Sequence, residues 1–198
     1  MTVSQPCLIL ASGSPQRKRL LSEAGYTFEV IVPEDGEPDP AAFSDATAYV
    51  EHTAWLKARQ VAVRVSDGIV LAADTVVALG GQTIGKPADR ADARRILACL
   101  SGSEHQCLTG ICLWRRPEDF WIGGVDVTDL RMRQLSTDEL EAYLASDRWI
   151  GKAGAYAIQD SDPYVSIIRG SHSNVVGLPM ELVQRLLENM KLTFKANR

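Results

Sequence analysis

The chain is short of the features that mark membrane, secreted or metal-finger proteins. No apolar run approaches the ~20 residues that a membrane span needs. The stretch MTVSQPCLILAS carries neither a basic n-region nor a true h-region, so no signal peptide is expected. Four cysteines among 198 residues form no CxxC pair. That pattern suits reduced thiols in a cytoplasmic protein better than a disulfide scaffold. His52, His105 and His172 lie far apart, without zinc spacing. Positive charge is in deficit: 21 Lys and Arg against 25 Asp and Glu leave a net −4. This argues against a general surface for polymeric nucleic acid. It leaves room for a local basic cluster around a small phosphorylated ligand. Repeats, low-complexity tracts and long linkers are also missing.

What is present has the composition of an ordinary globular protein, 45% hydrophobic and 23% charged. Strands are expected over residues 8–11, 26–32, 69–79, 105–114, 120–134 and 164–168. Helices are expected over 15–24, 45–65, 88–100, 137–145 and 179–190. Ser14 and Pro15 read as N-cap and first helical residue, and Gly25 as the helix stop. Gly80-Gly81 reads as a hairpin turn, and Gly123-Gly124 as an irregularity within a strand. Strands alternate with helices, but several neighbouring strands are joined by turns. A mixed α/β sheet is therefore expected rather than a purely parallel one.

Asp74 stands out. It lies in the middle of VLAADTVVAL, which otherwise reads as a buried strand. A carboxylate there costs several kcal/mol unless it is paired or coordinates a cation. Asp74 is thus either a compensated structural charge or the centre of a reaction.

Other segments offer compensation. Ser12-Gly13-Ser14-Pro15-Gln16-Arg17-Lys18-Arg19 joins a strand to a helix N-terminus and can cradle a phosphate. It lacks the GK[ST] of a Walker loop, and taken alone a capped basic helix is the plainer reading. Lys57 on the long helix and Lys86 in Ile84-Gly85-Lys86-Pro87 are, singly, ordinary solvated lysines. Lys152 sits among small residues in GKAGAYAIQ, a loop suited to close packing or to close approach of a ligand. Glu34, Asp35 and Glu37 form an acidic turn. With Asp74 they can also hold a hard divalent cation that bridges phosphates.

Taken in order, LASGSP-x-R, Lys57-Ala58, LAADTVV, GKP, LSG-x-x-H, TG, KAGAYAIQ and GSHSNVVGLP resemble the Maf-like nucleotide pyrophosphatases over nearly the whole chain. The resemblance implies one domain over residues 1–198, with an elongated mixed sheet, helices on both sides and two lobes flanking a central cleft. It implies hydrolysis of a nucleoside triphosphate to the monophosphate and pyrophosphate with Mg or Mn, a cytoplasmic setting and a homodimer, with neither nucleic-acid polymer nor membrane as partner. Asp74 matches the family's general base. Arg17, Lys57 and Lys86 match its phosphate-binding cations, and Glu37, with Asp74, its metal-side carboxylate. Ser12, Ser14, Gln16, Thr75, Lys152 and Gln159 complete the expected substrate contacts. The DT pair and the AYAIQ loop resemble the branch acting on dTTP and UTP. Two positions depart from the family pattern, which has arginine where Gln16 and Ser103 stand. The first touches base choice; the second touches a structural or phosphate contact. Two rival readings are a nucleotide-binding regulator of septum formation without turnover and a pyrophosphatase of the inosine-triphosphate type.

Overall fold

A computed structural model describes residues 7–34, 36–156, 158 and 164–196, with side chains to residue 190. Asp35 and Gln159 lie outside the described residues. The elements are β1 (Leu8–Leu10), α1 (Pro15–Glu23), β2 (Phe28–Val30), α2 (Ala46–Ala62), β3 (Gly68–Leu79), β4 (Gln82–Ile84), α3 (Arg90–Leu100), β5 (Glu104–Arg116), β6 (Phe120–Met132), α4 (Thr137–Ala145), β7 (Val165–Arg169), α5 (His172–Val176) and α6 (Met180–Ala196). Single 3-10 turns occupy Pro40–Ala42 and Ala153–Ala155.

The helix starts follow local chemistry. Ser14, Asp45, Asp89, Ser136 and Ser171 each accept a hydrogen bond from a backbone N–H of the first turn of the helix they precede. Ser136 and Glu139 form a reciprocal capping box, so the cap of α4 is Ser136, one residue before Thr137. Gly80 and Gly81, at φ +56° and +82°, make the hairpin between β3 and β4.

The seven strands form one mixed sheet in the order β2-β1-β3-β5-β6-β7, with β4 added to β3. β1 pairs in parallel with both β2 and β3, and the other pairings are antiparallel. The Gly123-Gly124 irregularity does not occur. The β5–β6 ladder runs unbroken through Cys112↔Gly123 and Ile111↔Gly124. Among the described residues, β6 shifts register only against β7, at Asp129/Leu130. At Gly123 a side chain would press on the Ile111 carbonyl, 2.8 Å from where a Cβ would stand, which accounts for the glycine without a bulge.

Helices cover both faces. On one, α2 brings Ala54, Ala58, Val61 and Ala62 against Val70 and Ala72 of β3. The small residues let α2 press close to the sheet. On the other face two apolar cores lie side by side. One joins Leu10, Leu21, Leu71, Ala73, Ile111 and Leu113 to Leu178 and α6. The second joins Val77, Cys107, Leu130 and Met132 to α3, α4 and the segment around Trp149 and Tyr156. Along β3, Ala73 belongs to one core and Val77 to the other, and Thr75 falls between them.

The edge of β3 is interrupted at the same place. β1 pairs with residues 69–71 and β4 with residues 77–79. Among the described residues, no strand pairs with residues 72–76 on that side. The strand-to-helix turn at residues 11–14 runs there instead, with the Ala11 amide on the Leu71 carbonyl at 2.8 Å.

Candidate active site

That gap opens into a cleft of roughly 630 Å³. Because it lies at a strand edge, side chains from both faces of β3 reach it: Asp74 from the α2 side and Thr75 from the other. Ser12, Ser14, Gln16, Arg17, Glu37, Lys57, Asp74, Thr75, Lys86 and Lys152 all line it. These ten residues come from six separate stretches of sequence, and the fold brings them together.

Asp74 is 4% exposed. Its Oδ1 accepts from Lys57 Nζ at 2.6 Å, and the same ammonium reaches Glu37 Oε1 at 2.7 Å. Lys86 Nζ stands 3.6 Å from that Glu37 oxygen. Burial of the Glu37 carboxyl opposes its ionisation, but the hydrogen bond and charge of Lys57, with those of Lys86, outweigh it and hold its pKa below the ordinary value. Tyr49 on α2 feels the same carboxylates. Burial, then the charges of Asp74 and Glu37, push its phenol up to about 12.

Arg17 is held on three sides. Its Nε donates to the Gly177 carbonyl at 2.8 Å, Nη1 to Ser12 Oγ at 3.2 Å and Nη2 to Thr75 Oγ1 at 3.1 Å. Burial lowers its pKa, opposed by Asp74 and Glu37; a guanidinium stays charged regardless. Gln16 Oε1 accepts from Ser14 Oγ at 3.1 Å. The Lys152 loop is joined to the Lys86 turn by the Gly154 amide on the Gly85 carbonyl at 3.0 Å.

Sequence reasoning missed part of the lining. Val77, Cys107, Tyr156, Val175 and Val176 give the cleft an apolar end. The Gly177 carbonyl and the buried Thr109 hydroxyl hold the Arg17 network. The SNVVG and TG motifs marked these segments without saying what they do. Ser103 is not among the lining residues. It closes the turn from α3 to β5, its hydroxyl on the Leu100 carbonyl at 2.7 Å, so its departure from the family pattern is structural. His105 is buried, its Nε2 2.9 Å from the Tyr156 hydroxyl.

Asp74 and Glu37 are the carboxylates available to a divalent cation. Among the described residues no group of three or more His, Cys, Asp or Glu could hold a metal. Asp74 Oδ2 is nevertheless buried without a hydrogen-bond partner, which is costly in a finished structure. One or two carboxylates, with the remaining ligands from water and substrate phosphates, is the donor set of a nucleotide-bound Mg ion. The residues present fit such an ion.

The fold itself is shared with a solved structure. A HAM1 protein from Coxiella burnetii superposes with a TM-score of 0.52 at 16% identity, covering 94% of this chain and 99% of that one. At the level of sequence, the model of the Maf-like protein family matches residues 7–190. A dTTP/UTP pyrophosphatase of Rhodopirellula baltica is 45% identical over 93% of this chain and 82% of its own length. The dTTP/UTP pyrophosphatase of Vibrio cholerae is 42% identical over 94% and 98%. The chain belongs to the Maf-like family.

Proposed function

We propose that this protein hydrolyses nucleoside triphosphates to the monophosphate and pyrophosphate, with dTTP and UTP preferred. The carrying observation is a reversal of charge. The chain is net negative, yet its cleft gathers four cations, Arg17, Lys57, Lys86 and Lys152, against two carboxylates, Glu37 and Asp74. Such a surplus suits a polyanion, and its apolar end suits a base. Relatives more than 40% identical are dTTP/UTP pyrophosphatases.

In this reading Arg17, Lys57 and Lys86 bind and orient the triphosphate, stabilising charge as it develops. Asp74 orients a water toward the α-phosphorus and takes its proton. The new P–O bond forms as the bond to the α,β-bridging oxygen breaks, and pyrophosphate leaves. A Mg or Mn ion held by Asp74 and Glu37 would polarise phosphate oxygens when bound. Ser12, Ser14, Gln16, Thr75 and Lys152 complete the substrate contacts, and Gln159 belongs to the same reading. A cytoplasmic setting and a homodimer are part of it, supported by the thiols, all free, and by the family resemblance. No helix among the described residues is long and apolar enough to cross a membrane.

The test is pyrophosphate release from a panel of canonical and modified triphosphates with Mg or Mn. Release that is fastest from dTTP and UTP is expected. Gln16 stands where the family has arginine, and a lost hydrogen bond to a charged group is worth roughly 1.5–3 kcal/mol. The preference is therefore expected to be shallow and to sharpen in Gln16→Arg. Binding of nucleotide with no release would favour the regulator reading instead.

A further inference from the structure

Thr109 has no place in the reaction just described and does not line the cleft. It is fully buried on β5 and faces Thr75 across the ladder. Its same-face neighbours belong to different cores, Cys107 to one and Ile111 to the other. Ala73 and Val77 flank Thr75 in the same way. A polar row therefore crosses the sheet where the apolar packing is divided, and Asp126 of β6 continues it opposite Thr109. A dry hydroxyl such as that of Thr109 persists in such a place only when its hydrogen bonds are made.

Those bonds lead to Arg17. Thr75 Oγ1 accepts from Arg17 Nη2 at 3.1 Å and lies 3.0 Å from Thr109 Oγ1. Thr109 Oγ1 is 3.4 Å from the Asn174 carbonyl, and Thr75 Oγ1 is 3.5 Å from that of Gly177. Two proton arrangements satisfy this geometry. Thr75 donates to Thr109, which donates to Asn174; or Thr109 donates to Thr75, which donates to Gly177. In the first, Thr109 accepts the Thr75 hydrogen bond; in the second, Thr109 donates to Thr75 and turns the Thr75 proton to the Gly177 carbonyl; in both, Thr75 keeps a lone pair for the guanidinium. Asn174 is in turn fixed, the two protons of its Nδ2 shared among the Cys107 and Asp126 carbonyls and Thr128 Oγ1.

We propose that Thr109 is a positioning residue for substrate binding: it fixes the Thr75 hydroxyl and, through it, the plane of the Arg17 guanidinium. The inference rests on the function proposed above, in which Arg17 faces phosphate. Thr109 acts on the affinity of the ground state more than on the chemical step, because Asp74 and Lys57 lie on the other face of β3.

The experiment compares Thr109→Val, which keeps shape and removes the hydroxyl, with Thr109→Ser, which keeps the hydroxyl. Thr109→Val is expected to raise KM for dTTP about five- to tenfold, the scale of one net hydrogen bond, with kcat within about twofold. Thr109→Ser is expected to restore KM. In a Thr75→Val background, Thr109→Val is expected to change KM by less than about twofold, since the relay is already cut. Multiplying losses in the double variant, or a Thr109→Ser variant as poor as Thr109→Val, would overturn the proposal. If Thr109→Val does not fold, Thr109→Ala takes its place in each comparison. The Arg17 Nε–H resonance, identified by its loss in Arg17→Lys, gives a readout independent of turnover. It is expected to shift and exchange faster in Thr109→Val and to return in Thr109→Ser. An unmoved signal would refute positioning even in a chain that cleaves neither dTTP nor UTP, whereas absent turnover with a moved signal would refute only the function.

Discussion

The Val50 carbonyl fills the space that a side chain at Gly110 would need. Gly110 lies directly across the ladder from Asp74, and Val50 is two helical turns before Lys57 on α2. The missing side chain thus lets α2 settle onto β5 and bring the Lys57 ammonium to Asp74.

Gly110→Ala tests this seating. The added methyl meets backbone, which cannot rotate away, so α2 must shift. Overpacking of this kind costs about 1–3 kcal/mol, a drop of several degrees in Tm for a chain of this size. Displacement of Lys57 by about 1 Å is expected to lower kcat/KM on the order of 10²-fold. Thermal melts and pyrophosphate release measure the two effects. A destabilised variant with normal turnover would mean that Lys57 finds Asp74 without this contact.

Asp74→Asn and Lys86→Ala separate chemistry from binding. Asp74→Asn keeps the shape of the side chain, and Glu37 still pairs Lys57. It is expected to stay folded, bind nucleotide and lose at least about 10²-fold in kcat. Lys86 is a half-exposed side chain on a turn. Lys86→Ala is expected to leave Tm within about a degree while weakening catalysis. The opposite pattern, a large fall in Tm with intact turnover, would make Lys86 structural.

A pH dependence of stability follows from His105. Burial pushes its pKa down from 6.5 to about 4, so the folded protein holds the neutral ring while the unfolded chain protonates first. Stability is then fully present above about pH 6.5, falls as pH drops toward 4, and loses nothing further from this residue below that. The loss is on the order of 3 kcal/mol. Denaturant melts between pH 7 and 4 for wild type and His105→Gln check it. Equal slopes in the two proteins would assign the dependence to other groups.

Much of this architecture was legible from the residues. The Ser14-Pro15 start of α1, the β3 hairpin and the mixed sheet follow from caps, turns and periodicity, which are local. Asp74 announced itself because a charge within an apolar run needs an explanation. What stayed hidden depends on tertiary contact. Glycine at 123 looks the same in sequence whether it breaks a ladder or admits a neighbouring carbonyl. Thr109 is an ordinary strand residue until its partner across the sheet is known. α5, five residues long, is too short to show a helical period.

The thiols give a chemical check on the burial of the cores. Cys7 and Cys99 are exposed; Cys107 and Cys112 are buried, and burial pushes the pKa of each up to about 12. Iodoacetamide at neutral pH is expected to modify the first two only, with activity retained. Mass spectrometry counts the adducts. Loss of activity in step with alkylation, without unfolding, would give a cysteine a role that the geometry does not suggest.

The position of Glu37 changes what it means for an anion to bind. Its carboxylate already touches the ammonium of Lys57 and stands near that of Lys86, so an arriving ligand does not enter a bare positive hole. It exchanges with a negative group already in residence. A singly charged ion gains almost nothing from such a trade, because it only replaces one like itself. A chain of phosphates brings several charges at once and comes out ahead. On the function proposed above, Glu37 would therefore set a threshold of valence in the cleft, filtering simple salts from polyanions before any base is read.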